Sequence, residues 1–247
     1  MSGHSKWHTI KHKKGAADAK RGQMFTKLIK EISIAARLGG GDQESNPRLR
    51  TAILKAKAAN MPKDNIDRAV KKGTGELEGV NYEEILYEAY GPGGVAILVD
   101  ILTDNKNRAA AEIRNLLNKH GGNLGSAGSV AYLFKRKGLI DFDPAKFKED
   151  DILAVAIDAG AEDVTNDGET IEVTTSPDDL YKVLKALETA GFTQTLAELA
   201  RVPDTTVTLD NDKTQKALKL VEYLEDHEDV QSVATNLEIP AGFVMSE

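Results

Sequence analysis

The sequence predicts an α+β protein of three domains: an N-terminal helical bundle, a discontinuous α+β domain, and a ferredoxin-like α+β domain inserted into it. Three observations predict it. Apolar residues recur at helical spacing through the first 75 residues, and the elements from Gly138 to Pro203 run β-α-β-β-α-β. Before that unit, a strand hairpin and one helix have too few strands to close a sheet without the elements that follow Pro203. The domain limits implied are 1–78 for the bundle, 79–134 with 206–247 for the discontinuous domain, and 135–205 for the insertion.

The first helix covers Met24 to Leu38. Phe25, Leu28, Ile29, Ile32, Ala35 and Ala36 make one apolar stripe, which places Lys20, Lys27, Lys30 and Arg37 on the opposite side. "RLGGGD" ends it. A second helix follows Asn46 as cap and Pro47 at its first position, with Leu49, Ala52, Ile53 and Ala56 inward and Arg48, Arg50, Lys55 and Lys57 flanking them. A third starts at Pro62, carries Asp64 and Asp67 in its first turn and Lys71 and Lys72 in its last, and stops at Gly73. In the connecting "AANMPKDN", Met61 precedes a proline and so avoids helical geometry, which leaves it either projecting at a turn toward a partner or folded back into the core.

After the glycine-rich "KKGTGELEGVN", the strands "EEILYEAY" and "GVAILVDILT" flank "GPGG", a composition that suits an antiparallel hairpin. The second strand is apolar on both faces and therefore central. "NKNRAAAEIRNLLNKHGG" is helical, with Ile113, Leu116 and Leu117 inward. In the insertion, the second helix takes Ser176 as cap and Pro177 as first residue. "TTVTL", a helix through Leu218, Val221 and Leu224, and a strand near Val230 to Leu237 complete the chain.

Charge divides the chain in two. Residues 1–72 hold 17 Lys/Arg against 6 Asp/Glu, a net of +11, and the rest holds 15 against 33, a net of −18. A cationic lobe on an anionic body is drawn toward polyanions with its basic face forward. The total of zero cysteines excludes disulfides, thiolate metal sites and cysteine nucleophiles. No apolar run is long enough to span a bilayer, so the expected location is the cytoplasm with no membrane partner.

His4, His8 and His12 are four apart but interleaved with Lys6, Lys11, Lys13 and Lys14, without a carboxylate to assist, so no metal is expected there; partly protonated histidines beside phosphates are the better reading. Trp7, the sole tryptophan, either stacks on nucleic acid or anchors the tail to the bundle. "HGGNLGSAGSV" lacks the lysine and hydroxyl that end a phosphate-binding P-loop and reads as a flexible connector, with a backbone contact to phosphate as the alternative. The two histidines outside the tail, His120 and His227, stand near helix ends. No spacing of acids singles out a general acid and base, so no enzymatic activity and no cofactor are expected.

"MSGHSKWHTIKHKKGAADAKRGQMFTKLIKEI", "NPRLRTAILKAKAANMPKDNIDRAVKKG" and "YEAYGPGGVAILVDILTDNKNRAAAEIR" resemble the YebC/PmpR family, and the resemblance runs through "RVPDTTVTL" to the final strand. It implies a helical domain followed by two α+β domains, and a DNA-binding transcriptional regulator. It also implies a second mechanism, since related proteins such as the mitochondrial translational activator of cytochrome c oxidase look like ribosome-associated factors that assist synthesis of proline runs.

The expected partner is therefore a nucleic acid, DNA or ribosomal RNA, bound by a monomer. Its phosphates would meet Lys6, Lys11, Lys13, Lys14, Lys20, Lys27, Lys30, Arg48, Arg50, Lys55, Lys57 and Lys63, with His8, Trp7 and Met61 making further contacts. An adaptor whose acidic ferredoxin-like domain docks a basic protein is a third possibility.

Overall fold

A computed structural model of the chain describes residues 6–7, 18–240 and 243–245. Helices α1 (Asp18–Gly39), α2 (Pro47–Ala58) and α3 (Lys63–Thr74) form the N-terminal bundle. Their shared core holds Ile32, Leu49, Ile53, Met61 and Ile66. Asn46 starts α2 as expected, its Oδ1 accepting from Leu49 N–H at 3.1 Å. Its Nδ2 also donates to the Ala35 and Gly40 carbonyls, each at 2.8 Å, so one side chain fixes the start of α2 to the end of α1.

Helix α3 differs from expectation at both ends. Pro62 is its cap, and the helix runs through Gly73 to a left-handed Gly75 at φ +84°. Gly73 serves packing instead: a Cβ there would stand 2.3 Å from the Ser33 carbonyl oxygen on α1.

Strands β1 (Glu83–Tyr90) and β2 (Ala96–Thr103) pair as the expected antiparallel hairpin. Helix α4 (Lys106–Lys119) returns the chain to the short β3 (Asn123–Leu124), which pairs with β1. From β4 (Phe134–Phe142) the chain passes through α5 (Glu149–Ala159), β5 (Asp163–Asn166), β6 (Ile171–Thr175), α6 (Leu180–Thr189) and β7 (Leu196–Pro203). Their sheet is antiparallel in the order β5-β6-β4-β7, the ferredoxin-like arrangement, with α5 and α6 packed on one face through Ile140, Phe142, Ile152 and Val183. Ser176 accepts from the Asp179 N–H at 3.1 Å, but regular helix starts only at Leu180, one turn later than the sequence suggests.

The chain then forms β8 (Val207–Thr208), α7 (Asn211–Glu225), β9 (Val230–Thr235) and β10 (Leu237–Glu238). Strand β9 pairs with β2, completing a sheet in the order β3-β1-β2-β9. The late segment expected as one strand is two: β10 leaves the main sheet and pairs in parallel with β8. The three-domain α+β layout thus has its middle sheet built from segments on both sides of the insertion.

Candidate nucleic-acid interface

Helix α1 is buried on two sides. Ile32, Ala35 and Ala36 face the bundle core, while Lys30 and Ile34, on other sides of the helix, are also buried. Lys27 and Lys30, two of the cations expected on the opposite side of this helix, lie against the anionic body. Lys30 Nζ reaches Asp229 Oδ1 at 2.5 Å and the Glu228 carbonyl at 3.1 Å, and it lies 5.8 Å from the Tyr82 ring centroid. Lys27 donates to the Glu225 carbonyl.

Asp229 is the centre of this contact. Its side chain has no exposure and also accepts from Thr103 Oγ1 and Arg108 Nη2, each at 2.9 Å. Burial pushes its pKa up, but hydrogen bonds from Lys30, Arg108 and Thr103 outweigh that and hold it below the ordinary carboxylate range. Glu112, His227 and Asp229 bring potential metal-ligand atoms within 4.8 Å of one another. Asp229, however, is already shared by two cations, and His227 is engaged on both ring nitrogens by Glu112 and the Asp229 N–H. The cluster is an interdomain polar network.

Other expected phosphate contacts are also engaged. Arg48 forms a two-pronged pair with Glu31 at 2.7 and 3.0 Å and reaches Glu84 at 2.5 Å. Lys55 pairs with Glu198 of the inserted domain at 2.7 Å. Arg50 donates to the Gln43 and Glu44 carbonyls at 3.0 and 2.6 Å, and Lys6 to those of Ile239 and Pro240 at 3.3 and 3.1 Å.

Trp7 and Met61 take packing positions. Trp7, 5% exposed, lies in the core of the middle domain rather than against the bundle, and its Nε1–H donates to Glu225 at 3.1 Å. Indole burial with a satisfied N–H explains the placement. Met61, also 5% exposed, folds into the bundle core, so the turn before Pro62 does not project it. His8, Lys11, Lys13 and Lys14 lie outside the described residues, as does the side chain of Lys20.

Lys57 and Lys63 are exposed. So are Arg68, Lys71 and Lys72 on α3, which the sequence reading omits or assigns only to the helix dipole. The signal was available: all three lie opposite Ile66, Ala69 and Val70 at helical spacing.

The glycine-rich loop before β4 is tied down. Glu88 on β1 is buried and accepts N–H bonds from Val130 and Ala131, each at 2.7 Å, and from Gly128 at 2.5 Å. Burial raises the Glu88 pKa, but these backbone donors outweigh it and leave it lowered. The anion that these amides hold is the protein's own carboxylate.

Residues 5–76 match the sequence profile described as the TACO1/YebC protein N-terminal domain, and residues 82–237 that of the TACO1/YebC second and third domain. The chain belongs to this family. A "probable transcriptional regulatory protein" of Treponema denticola is 64% identical over 247 residues, covering 100% of both chains. Another of that description from Treponema pallidum is 60% identical over 99% of this chain and 100% of its own. A crystal structure of a conserved hypothetical protein from Aquifex aeolicus superposes with a TM-score of 0.84 at 49% identity, covering 93% of this chain and 95% of that one. The family is one of regulatory proteins, and among the described residues no helix is long and apolar enough to cross a membrane.

Proposed function

We propose that this protein is a non-catalytic, monomeric, cytoplasmic regulator that binds duplex DNA through its N-terminal lobe, residues 1–78, with the acidic remainder orienting that lobe. The observation that carries the reading is the excess of cations on residues 1–72, a net of +11 on a chain whose total is −7. The descriptions of the relatives as transcriptional regulators support DNA as the partner. Of the cations expected at phosphate, Lys11, Lys13, Lys14 and Lys20 of the tail keep that role with His8 beside them, and Lys57 and Lys63 join them. Lys27, Lys30, Arg48 and Lys55 instead hold the lobe on the body.

A second reading, a ribosome-associated factor that binds ribosomal RNA, is favoured by one feature. The matching family profiles are described as TACO1/YebC, which groups this chain with the translational activators named in the resemblance. Gradient sedimentation of the tagged protein from a low-salt lysate separates the two. Heavy material dispersed by DNase supports the DNA reading. Migration with a ribosomal peak that RNase alone disperses replaces it with the ribosomal one.

A further inference from the structure

We infer that the outer face of α3, formed by Arg68, Lys71 and Lys72, is a phosphate-contact surface that lies along one strand of duplex DNA. The inference rests on the proposed function and adds residues to it. The cations of α1 and α2 that the sequence marks are largely committed: Lys30 to Asp229, Arg48 to Glu31 and Glu84, and Lys55 to Glu198. Releasing Lys30 would take one of its two cations from the buried Asp229 carboxylate and undo the contact that seats the lobe, a cost that a solvent-screened phosphate contact does not return.

Arg68, Lys71 and Lys72 are differently placed. All are exposed, and none forms an ion pair among the described residues. Residues 68, 71 and 72 of a helix share one face, and their span along the axis is about 6 Å. Successive phosphates of one DNA strand advance about 3.4 Å along the duplex axis, so the three cations can meet two or three of them. Asp64 and Asp67 occupy the first two turns of α3, so the positive end of the surface is its C-terminal half.

That end borders a cleft of about 500 Å³, with Arg37, Lys72, Asn81 and Tyr82 among its walls. Arg37 is held there by Asn81 and the Tyr82 carbonyl, which leaves Lys72 as the wall cation on the solvent side of α3. A strand laid against the face therefore passes the cleft mouth. In the sequence the two lysines also suit the helix dipole, so helical spacing alone does not give them a partner.

The test uses the full chain. Anisotropy of a fluorescent 20-base-pair duplex is titrated from 50 to 200 mM KCl with wild type, with R68Q/K71Q/K72Q, and with K11Q/K13Q/K14Q. Glutamine keeps helix propensity, and circular dichroism checks the fold. The α3 variant is expected to bind about tenfold or more weakly at 100 mM salt, with a log-log salt slope shallower by about 2 to 3. Wild-type affinity and slope in that variant, with loss only in the tail variant, overturn the surface while leaving DNA binding intact. Wild-type protein that shows no salt-dependent binding overturns both. A parallel RNA hairpin lost by the α3 variant while duplex affinity stays unchanged assigns the face to RNA and overturns the DNA commitment.

Discussion

Replacing Asp229 with Asn should unseat the helical lobe, and the size of the effect follows from what surrounds the carboxylate. Lys30 has 9% side-chain exposure and its counter-charge is 2.5 Å away. With Asn in place, the ammonium stays buried with the Glu228 carbonyl and the Tyr82 ring but without an anion. Breaking a buried pair from one side costs about 3 to 5 kcal/mol. Arg108 loses less, because Asp104 remains 2.9 Å from it at the surface. For a chain of this size the cost corresponds to a fall in melting temperature of about 10 °C. Scanning calorimetry reads this in the transition that contains the bundle and the middle sheet. Adding K30M should recover stability, since the stranded cation is then removed with its partner. D229N melting within about 2 °C of wild type, or further loss on adding K30M, would refute the reasoning.

Two glycines in helices should respond with opposite signs. Gly73→Ala forces a Cβ to 2.3 Å from the Ser33 carbonyl and 2.7 Å from Ala36 Cβ, so urea unfolding should show a loss of about 1 to 3 kcal/mol. Gly22→Ala meets nothing within 4 Å and should gain up to about 1 kcal/mol from helix propensity. Trp7 emission, the chain's only indole signal, should be blue-shifted and resist acrylamide quenching, and Trp7→Ala should cost about 3 to 5 kcal/mol by equilibrium unfolding. Asp229 and Glu88 have folded pKa values below their unfolded ones, so their contribution is complete above about pH 5 and is lost as pH falls through the folded values. The urea midpoint should accordingly hold steady from pH 7 to 5 and drop below 4.

The elements were readable because their signals are local. Asn46-Pro47 starts α2, the apolar run of β2 marks a central strand, and the order of elements from Gly138 to Pro203 specifies the inserted sheet. The cations were harder to assign, because periodicity gives the side of a helix on which Lys30 lies but not what lies opposite. Asp229, 199 residues away, is invisible to any window of sequence. Trp7 had the same ambiguity: burial and stacking on a base demand the same indole. The glycine loop misleads for another reason, since the carboxylate that fixes it stands on β1, about 40 residues earlier.

The inserted domain enters and leaves at one place. Phe134, the first residue of β4, lies in register opposite Pro203, the last of β7, so the two connections to the body run side by side. Cut there, the remaining chain would need only a tight loop to rejoin, and β9 would still find its place beside β2. The insertion is a closed circuit plugged into the body through a two-wire socket, and Arg201, bonded to Asp100 on β2 at 3.0 Å, is one clip across it.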